Sequence, residues 1–164
     1  ENIVLIGMPG SGKSTLGKIA ASELDMDFLD TDDLIVKQEE MPVTEIFEKR
    51  GEKGFRDIES QVIKDIASSQ NTVIATGGGA ILRDKNVELL RQNGKIFFID
   101  RPFEYLVTSK SRPLSSDRTA LRKRYEERYK IYRKCADVRI RPIKSVAANV
   151  EKIKEEFYNE IFGN

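Results

Sequence analysis

Short apolar, β-branched runs alternate along the chain with longer stretches whose apolar residues recur every three or four positions. Ile3–Ile6, Phe28–Leu29, Thr72–Ala75, Ile96–Ile99 and Val138–Ile140 are the strand candidates. The first and fourth are nearly unbroken apolar runs, as expected for strands covered on both faces of a parallel sheet. Helical spacing appears in Leu16, Ile19, Ala20 and Leu24, and again in Ile58, Val62 and Ile66. Val87 and Leu90 follow a cap-like Asp84 and precede a stop at Gly94, and Val146, Val150, Ile153, Phe157 and Ile161 form one stripe on a closing helix. The alternation predicts a doubly wound α/β domain with a parallel sheet of about five strands. No repeat or linker divides it, so one domain over residues 1–164 is expected. Thr108–Thr119 lacks an apolar face and is rich in Ser and Arg; it reads either as a surface loop or as a lid over bound substrates.

Length and charge leave this picture intact and narrow the chemistry. A chain of 164 residues can bury a full core. Its 28 basic and 27 acidic residues nearly cancel, which argues against a global polyanion-binding role. The single cysteine, Cys135, cannot form an internal disulfide, and no apolar run approaches the ~18 residues of a membrane span. A cytoplasmic, monomeric protein is the expectation. Histidine is absent, which removes Ser-His and Cys-His nucleophiles and His-containing metal sites. Catalysis must rest on carboxylates, Lys, Arg, backbone amides or a hard cation.

Gly7-Met8-Pro9-Gly10-Ser11-Gly12-Lys13-Ser14 supplies such a centre. It matches the phosphate-loop pattern G-x-x-x-x-G-K-[ST], with a strand running in and an amphipathic helix running out. The glycines let successive N–H groups wrap round a phosphate, and the helix N-terminus adds partial positive charge. Pro9, Gly10, Ser11, Gly12, Lys13, Ser14 and Thr15 are therefore the candidate ATP-binding residues, with Lys13 reaching the β and γ phosphates and Ser14 a ligand for Mg²⁺. The Asn-Lys-x-Asp motif of GTPases is missing. Asp100 ends a strand as a motor ATPase would, but Arg101-Pro102 follows instead of Glu, so Asp100 reads as a cap for the next helix. A small-molecule kinase is left in front.

The acceptor side lies at about residues 30–60. Asp30 and Asp32 fall at the end of the second strand, where ligands bind in this architecture. Arg56 and Glu59 share a helix face, where the bland alternative is a solvated ion pair worth under ~1 kcal/mol. Gly77-Gly78-Gly79 ends the third strand and points to close approach of backbone and ligand. Arg118–Lys134 carries eight basic and two acidic residues interleaved with Tyr125, Tyr129 and Tyr132. That tract leaves open a nucleic-acid surface, although charge runs are usually solvated faces.

Taken together and in order, these motifs resemble the shikimate kinase family across essentially the whole chain. The resemblance rests on the phosphate loop, Asp30-Thr31-Asp32, Phe55-Arg56-x-x-Glu59, Gly77-Gly78-Gly79, Arg112-Pro113-Leu114, and Arg128-x-x-x-Tyr132 followed by Ala136-Asp137. It implies a nucleoside-monophosphate-kinase-like fold with a lid, and transfer of the ATP γ-phosphate to the 3-hydroxyl of shikimate. By the same resemblance Asp32 holds that hydroxyl, and Arg56 and Arg128 pair with the substrate carboxylate. Gly78 and Gly79 approach the ring, and Phe47 and Phe55 form an apolar wall. Asp30 acts on Mg²⁺ through water, and Arg112 reaches the phosphates from the lid. Lys130 stands where the family frequently has proline. Val107 and Thr108 lie where an adenine-stacking arginine is often found. A gluconate kinase is the nearest alternative, and a nucleotide-dependent nucleic-acid-binding protein is the alternative from another class.

Overall fold

The computed structural model describes residues 1–106 and 118–162. Five strands form one parallel sheet: β1 (Asn2–Ile6), β2 (Asp27–Asp30), β3 (Thr72–Ala75), β4 (Gly94–Ile99) and β5 (Val138–Ile140), in the order β2-β3-β1-β4-β5. Helices α1 (Lys13–Leu24), α2 (Thr31–Glu39), α3 (Val43–Ile66), α4 (Asp84–Asn93), α5 (Arg118–Cys135) and α6 (Val146–Phe162) connect or follow them. All five expected strands are present, two with the expected bounds and three longer by one or two residues.

Side-chain alternation within β1 explains why the sheet is covered on both sides. Ile3 and Leu5 point into a core with Leu16, Ala20, Val150 and Ile153 from α1 and α6. Val4 and Ile6 point the other way, towards Ile63, Leu90, Leu121 and Tyr132 from α3, α4 and α5. Both faces are apolar, so β1 reads as a continuous hydrophobic run. The stripe expected on α6 holds at Val150, Ile153 and Phe157, whereas Val146 at its first turn is 44% exposed. A third, smaller cluster of Ile35, Ile46, Phe55 and Val62 joins α2 to α3 away from the sheet. It makes that helix pair a wall of its own, bent at Gly51 (φ 69°), a conformation suited to glycine.

Chain direction creates the functional crevice. After β3 the chain crosses from one side of β1 to the other to form β4. The carboxyl end of β1 is therefore a topological switch point, and the phosphate loop leaves from it. Two capping expectations need correction. Asp100 caps no helix: it is 6% exposed, its carboxylate accepts from the Tyr129 hydroxyl at 2.8 Å, and Pro102 precedes the short 3₁₀ turn Phe103–Tyr105. Asp84 begins α4, and the capping position belongs to Arg83.

Candidate active site

The phosphate loop is shaped by three glycines with positive φ: Gly7 at 152°, Gly10 at 82° and Gly12 at 94°. At Gly7 space matters too, since a Cβ there would lie 2.8 Å from the Ile99 carbonyl oxygen. The loop can thus sit directly on the end of β4. Lys13 is buried and folds back over its own loop, donating to the carbonyls of Gly7 (2.7 Å) and Met8 (2.9 Å) and to Ser11 Oγ (3.4 Å). Ser11 accordingly stands behind the loop, while Pro9, Gly10, Gly12, Lys13, Ser14 and Thr15 line a cavity of about 680 Å³.

Asp30 has two tasks. Its Oδ1 caps α2 by accepting from the backbone N–H groups of Asp32 (2.9 Å) and Asp33 (3.1 Å). Its Oδ2 accepts from Ser14 Oγ. The cap fixes the carboxylate, and the hydroxyl contact brings two hard oxygen donors together at the loop. That donor set fits Mg²⁺, which binds through one or two protein oxygens, water and phosphate rather than a full protein cage. No cluster of three metal-binding His, Cys, Asp or Glu side chains occurs among the described residues.

Opposite the loop, Asp32, Phe47, Phe55, Arg56, Gly78, Gly79 and Arg128 line the same cavity, although they come from four separate elements. Phe47 and Phe55 stack with ring centroids 4.7 Å apart, and Arg56 lies over the Phe55 ring. The ion pair between Arg56 and Glu59 is not a solvated one. Its N–O distance is 2.9 Å, and the residues are 8% and 0% exposed. Burial raises the Glu59 carboxyl above its ordinary value; the charge and hydrogen bond of Arg56 oppose that shift. Arg56 Nε and Glu59 Oε2 are buried without a hydrogen-bond partner among the described residues. The guanidinium is thus anchored chiefly by Glu59, with the Glu52 carboxylate 3.9 Å away, and still has donor capacity.

The glycine turn makes room mainly for the protein's own side chains. A Cβ on Gly77 would lie 2.7 Å from Asp32 Oδ1 and 2.8 Å from Glu59 Oε2, and one on Gly78 would lie 2.7 Å from Pro9 Cδ. On Gly79 it would overlap the Arg56 guanidinium. The expectation of close backbone approach to a ligand therefore gains a second cause: three glycines let acidic and basic site residues converge. Gly79→Ala is expected to displace Arg56, costing about 1–3 kcal/mol of stability from overpacking. It should also raise the KM of the acceptor more than that of the nucleotide. Thermal melts and steady-state kinetics check this, and unchanged values would show that Arg56 is free to move aside.

Tyr132, legible in the sequence as a motif position and as one of the tyrosines of the basic tract, holds the turn. Its hydroxyl donates to the Gly78 carbonyl at 2.6 Å, and burial pushes its pKa up to about 12. Burial likewise lowers the pKa of Arg128, one helical turn earlier on α5. Thr31 Oγ1 accepts from the Gly77 N–H at 2.9 Å, tying the glycine turn to the start of α2. Asp137 is structural, with Oδ2 accepting from the Ile96 N–H (2.8 Å) and Oδ1 from Arg91 (2.7 Å). Arg112 and nearly all of the Thr108–Thr119 tract lie outside the described residues.

Similarity to known proteins agrees with this geometry. The family model for shikimate kinase matches residues 9–161. The chain belongs to the shikimate kinase family. It is 41% identical over 159 residues to a shikimate kinase from Clostridium beijerinckii, covering 94% of each chain. Among solved structures, a shikimate kinase from Acinetobacter baumannii in complex with shikimate superposes with a TM-score of 0.90 at 32% identity, covering 99% of this chain and 94% of that one. A gluconokinase from Sinorhizobium meliloti reaches a TM-score of 0.55 at 16% identity over 97% of this chain and 96% of its own, which shows a shared fold alone. The nucleic-acid alternative loses its aromatic half. Tyr132 is buried against Phe98, and the partly buried Tyr129 and Tyr125 pack on Phe98 and Phe103, so the three rings are engaged with the core rather than presented as a stacking surface.

Proposed function

We propose that this member of the shikimate kinase family transfers the γ-phosphate of ATP to the 3-hydroxyl of shikimate within the cavity between the phosphate loop and the α2–α3 wall. The observation that carries the reading is the convergence of a phosphate loop with Asp32, Arg56 and Arg128 on one open cavity. The backbone of residues 9–15 cradles the ATP phosphates. Lys13 exchanges its loop carbonyls for β- and γ-phosphate oxygens. Mg²⁺, held by Ser14 directly and by Asp30 through water, would neutralise charge on the phosphates when bound.

On the acceptor side, Arg56 and Arg128 bind the shikimate carboxylate, for which a planar guanidinium provides paired donors. Gly78 and Gly79 flank the ring, and the stacked Phe47 and Phe55 cover its apolar side. Asp32 orients the hydroxyl for in-line attack and receives its proton. Arg112 reaches the transferring phosphoryl group from the lid at about residues 108–119. Catalysis is chiefly positioning and electrostatic stabilisation. The protein acts as a monomer in the cytoplasm. None of the described helices is long and apolar enough to cross a membrane.

A coupled ADP-release assay with shikimate, gluconate and nucleoside monophosphates tests the assignment. Turnover should require shikimate and Mg²⁺, and gluconate should support essentially none. Gluconate-dependent turnover without a response to shikimate would overturn it.

A further inference from the structure

Arg101 is a cavity residue with no role in the reaction outlined so far. It lies two positions beyond the end of β4, on the opposite side of β1 from β3 and its glycine turn. That places it on the nucleotide flank of the crevice, while Arg56 and the glycine turn belong to the acceptor flank. Arg101 lines the same cavity as Lys13 and Thr15. Its NH1 donates to the Gly10 carbonyl at 3.2 Å, bridging the end of β4 to the crest of the phosphate loop. No described carboxylate lies within ion-pairing distance of it, in contrast to Arg56 with Glu59. A half-buried guanidinium beside an anion cradle, with no counter-ion among the described residues, is matched by a polyanionic ligand. Its identity also matters chemically. A carboxylate at this position could activate water, but a guanidinium cannot accept a proton at neutral pH.

We propose that Arg101 is a ligand of the nucleotide phosphate chain, holding the Gly10 carbonyl with one N–H while the others bond phosphate oxygens. It adds a second fixed cation to Lys13 on the nucleotide side and keeps the loop crest in place before ATP arrives. The inference rests on the reading that the loop binds ATP, but it is independent of the acceptor.

Calorimetric titration of Mg²⁺-ATP and Mg²⁺-ADP without shikimate provides the test, using wild type, Arg101→Ala, Arg101→Gln and Arg101→Lys. Glutamine retains an N–H for Gly10 but carries no charge. The Gln and Ala variants should each bind ATP about tenfold more weakly, as expected for loss of a charge-assisted contact, with Lys between them and wild type. The loss should shrink as salt is raised, and the KM for shikimate should stay within about twofold. An Arg101→Gln protein that binds ATP as tightly as wild type would reduce Arg101 to a support for Gly10 and overturn the proposal. So would an equal loss of shikimate affinity. Because the titration uses no acceptor, a wild type that ignored shikimate would sink the substrate assignment while leaving the role of Arg101 to be judged by ATP binding.

Discussion

Lys13→Ala is expected to lower kcat by about a thousand-fold, because a preorganised donor to transferring charge typically supplies 10²–10³ or more. That loss corresponds to about 4 kcal/mol of barrier. The cost in stability should be much smaller. Lys13 donates to the carbonyls of Gly7 and Met8; its removal forfeits these charge-assisted bonds but also relieves the burial of an ammonium, leaving a net cost of about 1–2 kcal/mol. The same contacts pre-place the ammonium in the resting loop, so ATP has only to replace carbonyl oxygens with phosphate oxygens. Single-turnover kinetics beside a thermal melt separate the two effects. A variant with normal turnover, or one whose activity loss merely tracks unfolding, would contradict the role given to Lys13.

Arg56→Ala should lower kcat/KM for shikimate by about 10²–10³-fold while leaving ATP binding within about twofold, since a desolvated charge pair is worth 2–5 kcal/mol when truncated. The burial of Glu59 adds a second consequence. Removing Arg56 strands a carboxyl that is 0% exposed, and breaking such a pair costs about 3–5 kcal/mol of stability. The pH dependence has a definite sign. The Glu59 carboxyl is already raised above its ordinary 4.5 by burial, and Arg56 is the main charge opposing that rise, so the variant raises it further. A raised carboxyl favours the folded state below its unfolded value, and that advantage is lost as pH rises through the folded value. The stability deficit of Arg56→Ala should therefore be small near pH 4 and grow towards neutrality. Urea melts across that range read it directly, and a deficit independent of pH would place the cost elsewhere. Unchanged shikimate kinetics would remove Arg56 from the acceptor site.

The sheet, its parallel sense and the phosphate loop were legible because each has a local cause. A strand buried on both faces must be apolar at successive positions, as in Ile3–Ile6, and a loop wrapping phosphate needs glycine where φ is positive. The Asp30 and Asp32 pair, Arg56 and the glycine turn were visible as residue types at the strand edge or on one helix face. Their assignment to shikimate came from the order of motifs, not from any one spacing. Tertiary structure decided what periodicity cannot encode. It buried the Arg56–Glu59 pair that helix spacing alone would leave in solvent, and packed the tyrosines of the basic α5 tract in or against the core. It showed that the three glycines admit neighbouring side chains, and drew Asp100 under α5 rather than onto a helix end. It also brought Arg101 against Gly10, ninety-one positions away in the chain. Local sequence fixes dihedral preferences and the face a residue presents. Desolvation, and hence the strength of a charge pair or the accessibility of a cation, depends on which distant segment covers that face.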